Sequence, residues 1–298
     1  MTTGTPDYRR LSAVGPYFAL DSGASPAEAA PPGFRPLREL YAHGPRSPLA
    51  ERVRVVAHRL GTAEPRVAAS ILHLGLAARF CSVGLGAAVL LGTVPALDPD
   101  RAYVRIPEQG PIDLWTPHEA TPHEAPPHEA PPHEATPHEA TPHDGTPHGG
   151  TPDHRAPHHD APHPPQPPAP APTGPRTSDE QLADRLHHVL VQGQLTLLAA
   201  AVRAAVPLSG RLLDGNAASA LAGALRMLDA HAVPGRARAL VAAVLRQPPL
   251  ADTGELRGTG FRRTSCCLYY RVGPGTGVCG DCCFTSPPGP RRPEPRHR

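Results

Sequence analysis

Apolar positions gather in two stretches of the chain, and a long stretch between them has almost none. From Ala50 to Leu91 the pattern is helical. Glu51–Leu60 predicts one helix, ended by Gly61. Val67, Ile71, Leu74, Leu76 and Phe80 then recur at intervals of two to four residues, as a buried helix face requires. Thr62 is expected to cap this second helix, with Pro65 in its first turn. Phe80–Leu97 runs 18 residues without a charge, close to the minimum for a membrane span. It also contains Gly84, Gly86, Gly92 and Pro95, with His73 and Arg79 just upstream, so it reads as a core helix that breaks near Gly92. Residues 1–45 are irregular apart from one short helix around Pro36–Ala42. Ala102–Ile106 and Pro111–Trp115 read as short strands.

The second apolar stretch begins at Ser178, which with Gln181 has capping-box spacing. A helix is expected from Asp179 to about Val206, with Leu182, Leu186, Val189, Leu190, Leu197 and Leu198 as its apolar stripe. Asn216 is expected to cap a helix reaching Ala230, with Leu221, Leu225 and Leu228 facing inward. A last helix spans Arg236 to Leu245 and stops at Pro248-Pro249. The fold class is therefore mainly α with a small β component, an α+β fold with one helical core.

Between the two stretches the unit TPHEA or PPHEA repeats from Thr116 and decays by about His163, with Pro-rich sequence continuing to Arg176. A proline every fifth residue forbids helix and blocks a central strand. With almost nothing larger than alanine to bury, ordering the segment would cost entropy without return, so it reads as a disordered linker, partly polyproline II. The chain thus divides into 1–115, the repeat at 116–176, a second helical part at 177–284 and a disordered Arg/Pro tail at 285–298. Eleven of the 18 histidines fall in the repeat. Polyproline II rises about 3.1 Å per residue, so histidines five apart stand roughly 15 Å apart, far beyond the reach of one ion. Weak binding of zinc, nickel or copper would need several units to fold back on one another. A repeat tolerated in a surface loop is the simpler reading.

Composition changes the picture only in places. The chain has no lysine; its 29 basic residues are arginine, and its net charge of +2 carries no polyanion signal, so no nucleic-acid partner is expected. The acidic repeat leaves the remainder mildly basic, a surface that would suit an acidic partner or anionic substrate. Arg9-Arg10 before Leu11–Leu20 imitates a twin-arginine leader, but the apolar stretch is short and lacks a convincing cleavage site. A cytoplasmic protein with at most peripheral membrane contact is expected. Gly84-Leu85-Gly86 and Gly258-Thr259-Gly260 lack the strand–turn–helix setting of a dinucleotide site, and neither a phosphate loop nor a hydrolytic triad is visible.

The chemistry is concentrated at the end. Five of six cysteines lie within eighteen residues: Cys266, Cys267, Cys279, Cys282 and Cys283. A strand-like run enters the Gly/Pro turn Gly273-Pro274-Gly275-Thr276-Gly277 and returns, a Cys-rich hairpin that brings the two cysteine groups together. Cys279-Gly280-Asp281-Cys282 is a CxxC knuckle whose glycine permits a tight turn. Adjacent strand residues point to opposite faces, so Cys266 and Cys267 can serve one centre only if the backbone bends there. Four thiolates suit an iron–sulfur cluster or zinc. The single CxxC favours the cluster over a zinc ribbon, and zinc stays open at this point. Cys283 is an alternative ligand or a bystander, and Cys81 reads as a core residue. Arg262, Arg263 and Arg271 either dock an anionic chelate or are solvated charges; Thr264, Ser265 and the Gly280 backbone are candidates for hydrogen bonds to sulfur.

The run CCLYYRVGPGTGVCGDC resembles the C-terminal signature of the FhuF-like ferric siderophore reductases, a Cys pair, ten residues, then CxxC. Here eleven residues separate Cys267 from Cys279, the extra one falling in or beside the glycine turn. EPRVAASILHLGLAARF at 64–80 and GNAASALAGAL at 215–225 extend the resemblance more loosely. It implies a [2Fe–2S] cluster on Cys266, Cys267, Cys279 and Cys282. It further implies one-electron reduction of siderophore-bound Fe(III) to Fe(II); with no flavin or nicotinamide site visible, the electrons are expected from a separate ferredoxin or reductase. The rival readings are a cluster-bearing sensor or scaffold without turnover, and a zinc-stabilised interaction protein.

Overall fold

The computed structural model describes residues 6–25, 28–117, 177–229, 231 and 235–289. The histidine repeat from residue 118 on, and the tail beyond 289, lie outside the described residues. The described residues belong to one compact unit.

Helix α1 (Pro48–Leu60) starts at Ser47, whose Oγ accepts from the Ala50 amide at 3.2 Å, and ends at Gly61 in the left-handed region. Helix α2 (Pro65–Leu91) runs 27 residues to Gly92, also left-handed. Its N-cap is Glu64 rather than Thr62; the Thr62 hydroxyl accepts from the Glu64 amide at 3.2 Å, one position too early to reach the helix. Being apolar all round, α2 lies in the centre. It is long and apolar enough to cross a bilayer, yet 72% of its most apolar stretch is covered by the rest of the chain, the state of a core helix.

After the repeat, α3 (Ser178–Leu186) begins with a capping box made by Thr177 and Glu180, one residue before the expected Ser178/Gln181 pair. Thr177 is extended and so can cap; Ser178 is already helical. The helix passes through a π-helical stretch, His187–Leu195, before α4 (Thr196–Ala205) completes it. Helix α5 (Gly210–Leu228) begins six residues before Asn216, so Asn216 is not a cap. It is fully buried in mid-helix, and its Nδ2 donates to the Ser70 carbonyl (2.9 Å) and Oγ (3.2 Å) on α2. Helix α6 (Arg236–Leu245) follows as the periodicity predicts.

The core is the α2–α5 pair, flanked by α1, α3 and α6. Gly84 lets the π-helical stretch close in: a Cβ there would stand 2.6 Å from a Leu190 methyl. Four short strands, β1 (Asp21–Ser22), β2 (Arg35–Pro36), β3 (Tyr103–Arg105) and β4 (Asp113–Thr116), form a sheet in the order β1-β4-β3-β2. β3 and β4 are antiparallel with Val104 opposite Leu114. A separate hairpin, β5 (Gly254–Arg257) and β6 (Gly260–Arg263), pairs Leu256 with Phe261 and leads directly into the cysteines.

Candidate metal centre

The ladder ends at Arg263, and the cysteine segment that follows is loop rather than a hairpin of strands. The chain doubles back as expected, but through turns. The Arg263 amide donates to the Asp281 carbonyl at 3.0 Å, tying the end of β6 to the knuckle. The bend required at Cys266-Cys267 is supplied by Leu268, a non-glycine residue at φ 66°, after which Tyr269–Arg271 form one 3-10 turn. The glycine turn carries Gly275 at φ 80°, and the Cys282 amide closes the knuckle on the Cys279 carbonyl at 3.1 Å.

This path brings the two groups together. Cys267 Sγ and Cys279 Sγ are 3.3 Å apart. The Leu268 amide donates to Cys266 Sγ (3.2 Å) and the Phe284 amide to Cys282 Sγ (3.4 Å). Backbone amides at Tyr269 and Asp281 favour the thiolates of Cys267 and Cys279 in the same way. Backbone N–H groups thus face the sulfurs of all four expected ligands. Thr264 and Ser265 do not take that role: their hydroxyls donate to the Asp252 and Arg211 carbonyls, each at 3.0 Å. Cys283, half-buried, stands beside Cys282.

Electrostatics follow from this crowding. The contact with Cys279 holds the Cys267 thiol below its ordinary range and Cys279 above its own, since two sulfurs this close share one proton. Burial raises Cys266 and Cys283. Cys81 is remote from this loop and buried in α2, its thiol pushed up to about 12 by desolvation, the behaviour of a core residue.

The loop is fastened to the two central helices. Ser70 Oγ donates to the Cys267 carbonyl (2.7 Å), Arg271 pairs with Glu64 at the start of α2 (2.8 Å), and Arg226 of α5 pairs with Asp281 (3.0 Å). Of the three arginines that could have docked a chelate, Arg271 is therefore engaged. Arg262 is exposed and donates to the Cys283 carbonyl at 3.3 Å. Arg263 is 2% exposed and belongs to the interior. Ser70, Asn216 and Glu64 were not legible as site supports. The available signal was polar residues three apart within the apolar runs of two helices, Ser70 with His73 and Asn216 with Ser219.

Beside the knuckle opens an apolar cleft of about 410 Å³, walled by Phe18, Leu74, Ala78 and Ala224, with Met227 and Cys279 among its lining residues. Among the described residues, no three His, Cys, Asp or Glu side chains are gathered closely enough to hold a single ion. The donor set, all thiols with amides facing the sulfurs, fits the cluster.

Residues 263–284 match the family model of the FhuF 2Fe-2S C-terminal domain; the match covers the cysteine segment and leaves α1–α6 outside it. No curated protein matches the chain. Geometry and match agree: residues 263–284 are a 2Fe-2S domain of the FhuF type, with a [2Fe–2S] cluster as the cofactor.

Proposed function

We propose that the protein is a ferric-siderophore reductase, passing one electron to Fe(III) in a siderophore so that the iron leaves as Fe(II). The observation that carries this reading is the open cleft against Cys279, next to a thiol loop of the FhuF type. Siderophores hold Fe(III) through hard oxygen donors and grip Fe(II) far less, so a single electron is sufficient for release. The cluster, when bound, supplies that one-electron step.

The chain's own residues do the rest. Cys279 is half-buried at the rim of the cleft, which leaves a short path from a ligand sulfur to a docked chelate. Amides at Leu268 and Phe284 stabilise negative charge on the sulfurs. The Arg226–Asp281 pair and the Arg271–Glu64 pair hold the loop in register with α5 and α2. The electron donor in this reading is a separate ferredoxin or reductase, and the site of action is the cytoplasm, with membrane contact peripheral at most.

The test uses protein purified without oxygen, reduced with dithionite, freed of excess reductant and mixed with a ferric trihydroxamate siderophore. Return of the oxidised-cluster absorption with an equal amount of Fe(II) trapped by ferrozine is the expected result. A cluster that stays reduced beside excess ferric siderophores, both hydroxamate and catecholate, would refute the reductase and leave a cluster protein without turnover.

A further inference from the structure

Arg263 is an unusual arginine. It is the last residue of β6, and its side chain turns inward against α5, where Gly215 leaves it room: a Cβ at 215 would stand 2.9 Å from Nη2 and closer still to Ser265 Oγ. Nη2 donates to the Leu212 carbonyl at 3.1 Å. Nε and Nη1 are buried with no partner. A buried cation with two idle N–H groups is costly unless a negative charge lies near.

No carboxylate serves that purpose among the described residues. Asp281 touches Arg263 only through its carbonyl; its carboxylate is taken by Arg226. Asp214, the carboxylate of the adjoining α5 turn, answers to Arg203. His73, packed close by on α2, is fully buried and kept neutral, its pKa lowered to about 3 by burial and then by Arg263 itself. What does face Arg263 is the cysteine loop. The Arg263 amide is bonded to the Asp281 carbonyl of the knuckle, and Arg263 lines the same cleft as Cys279, Gly280 and Asp281.

We propose that Arg263 is the internal counter-charge of the [2Fe–2S] cluster, a positioning residue that raises its reduction potential from behind the loop. Four thiolates and two sulfides outweigh two ferric ions, so the centre is anionic and becomes more so with each electron. A fixed cation in a low-dielectric setting favours the more negative, reduced state. The idle N–H groups then have their account: they are left for the negative charge that the cluster would bring. Because the guanidinium is buried, salt does not screen it, unlike exposed Arg262.

The experiment is a redox titration of the cluster-loaded full chain, followed by visible absorption, for wild type, Arg263→Gln, Arg263→Lys and Arg262→Gln. Arg263→Gln should lower the equilibrium constant for reduction about tenfold, a downward shift of about 59 mV for one electron, at both low and high salt. Arg262→Gln should move it by less than a third of that. Arg263→Lys, which keeps the charge, should stay near wild type. An Arg263→Gln protein with full cluster content and an unchanged potential overturns the proposal. If Arg263→Gln does not hold a cluster, Arg263→Lys decides: a potential near wild type upholds the charge, and a tenfold drop shows that shape alone mattered and overturns it.

Discussion

Two arginines of this chain are each 2% exposed, and they live in opposite circumstances. Arg79, on α2, spends its donors on backbone: Nε on the Ile112 carbonyl (2.8 Å), Nη1 on that of Tyr17 (2.7 Å) and Nη2 on that of Ala19. It stitches the N-terminal segment to the residues entering β4, and burial lowers its pKa to about 10 while Asp113 and Asp21 oppose the shift. Arg263 has one carbonyl and two idle nitrogens, and its backbone is tied to the cysteine knuckle at Asp281. A buried cation satisfied by carbonyls is a structural device. One left unsatisfied beside a set of metal ligands is waiting for their charge, and the difference separates the scaffold from the working end of the molecule.

The comparison breaks if the two arginines respond alike. Arg79→Met should carry the largest stability cost, about 3 kcal/mol or more by denaturant unfolding, since three carbonyls lose their donor. It should leave the cluster potential of the folded fraction in place. Arg263→Gln should do the reverse, costing less stability than Arg79→Met while the potential falls. An acid titration sharpens the contrast from the side of His73. Its folded pKa, about 3, lies below the ordinary 6.5, so the unfolded chain binds the extra proton. Stability should therefore fall as pH drops from about 6.5 toward 3, and His73→Leu should flatten that slope in urea-unfolding curves. Smaller again, Asn216→Leu should cost about 1–2 kcal/mol through the lost bonds to Ser70. Arg226→Ala, removing a half-exposed pair, should change unfolding by less than about 1 kcal/mol.

Much of the scaffold could be read from residue spacing because helices advertise themselves locally. Gly61 and Gly92 end α1 and α2 as expected, each in the left-handed region, and α6 spans the predicted residues. The misreadings share one cause. Asn216 and Ser178 are good caps by residue type, but a cap is defined by the backbone around it, and burial against Ser70 or a stronger box one residue earlier decided each case. The cysteine loop was legible as a meeting of two groups. Its bend was demanded by the adjacent pair, yet nothing local marks Leu268 as the residue that takes φ 66°. The inward turn of Arg263 was invisible for a different reason. Alternation along β6 puts it on the Phe261 side of the hairpin, but only the space at Gly215, 48 residues earlier in the chain, makes that side habitable for a guanidinium.

The central claim is the cluster on Cys266, Cys267, Cys279 and Cys282. It is tested most directly by the visible spectrum of protein purified without oxygen, with iron, sulfide and zinc assayed on the same sample. A version lacking residues 116–176 should be measured alongside, so that the histidines of the repeat do not contribute metal. The account predicts a brown protein with about two irons and two sulfides per chain, lost on Cys279→Ser and retained on Cys283→Ser. A colourless protein holding stoichiometric zinc, or a cluster that survives Cys279→Ser and disappears with Cys283→Ser, would contradict it.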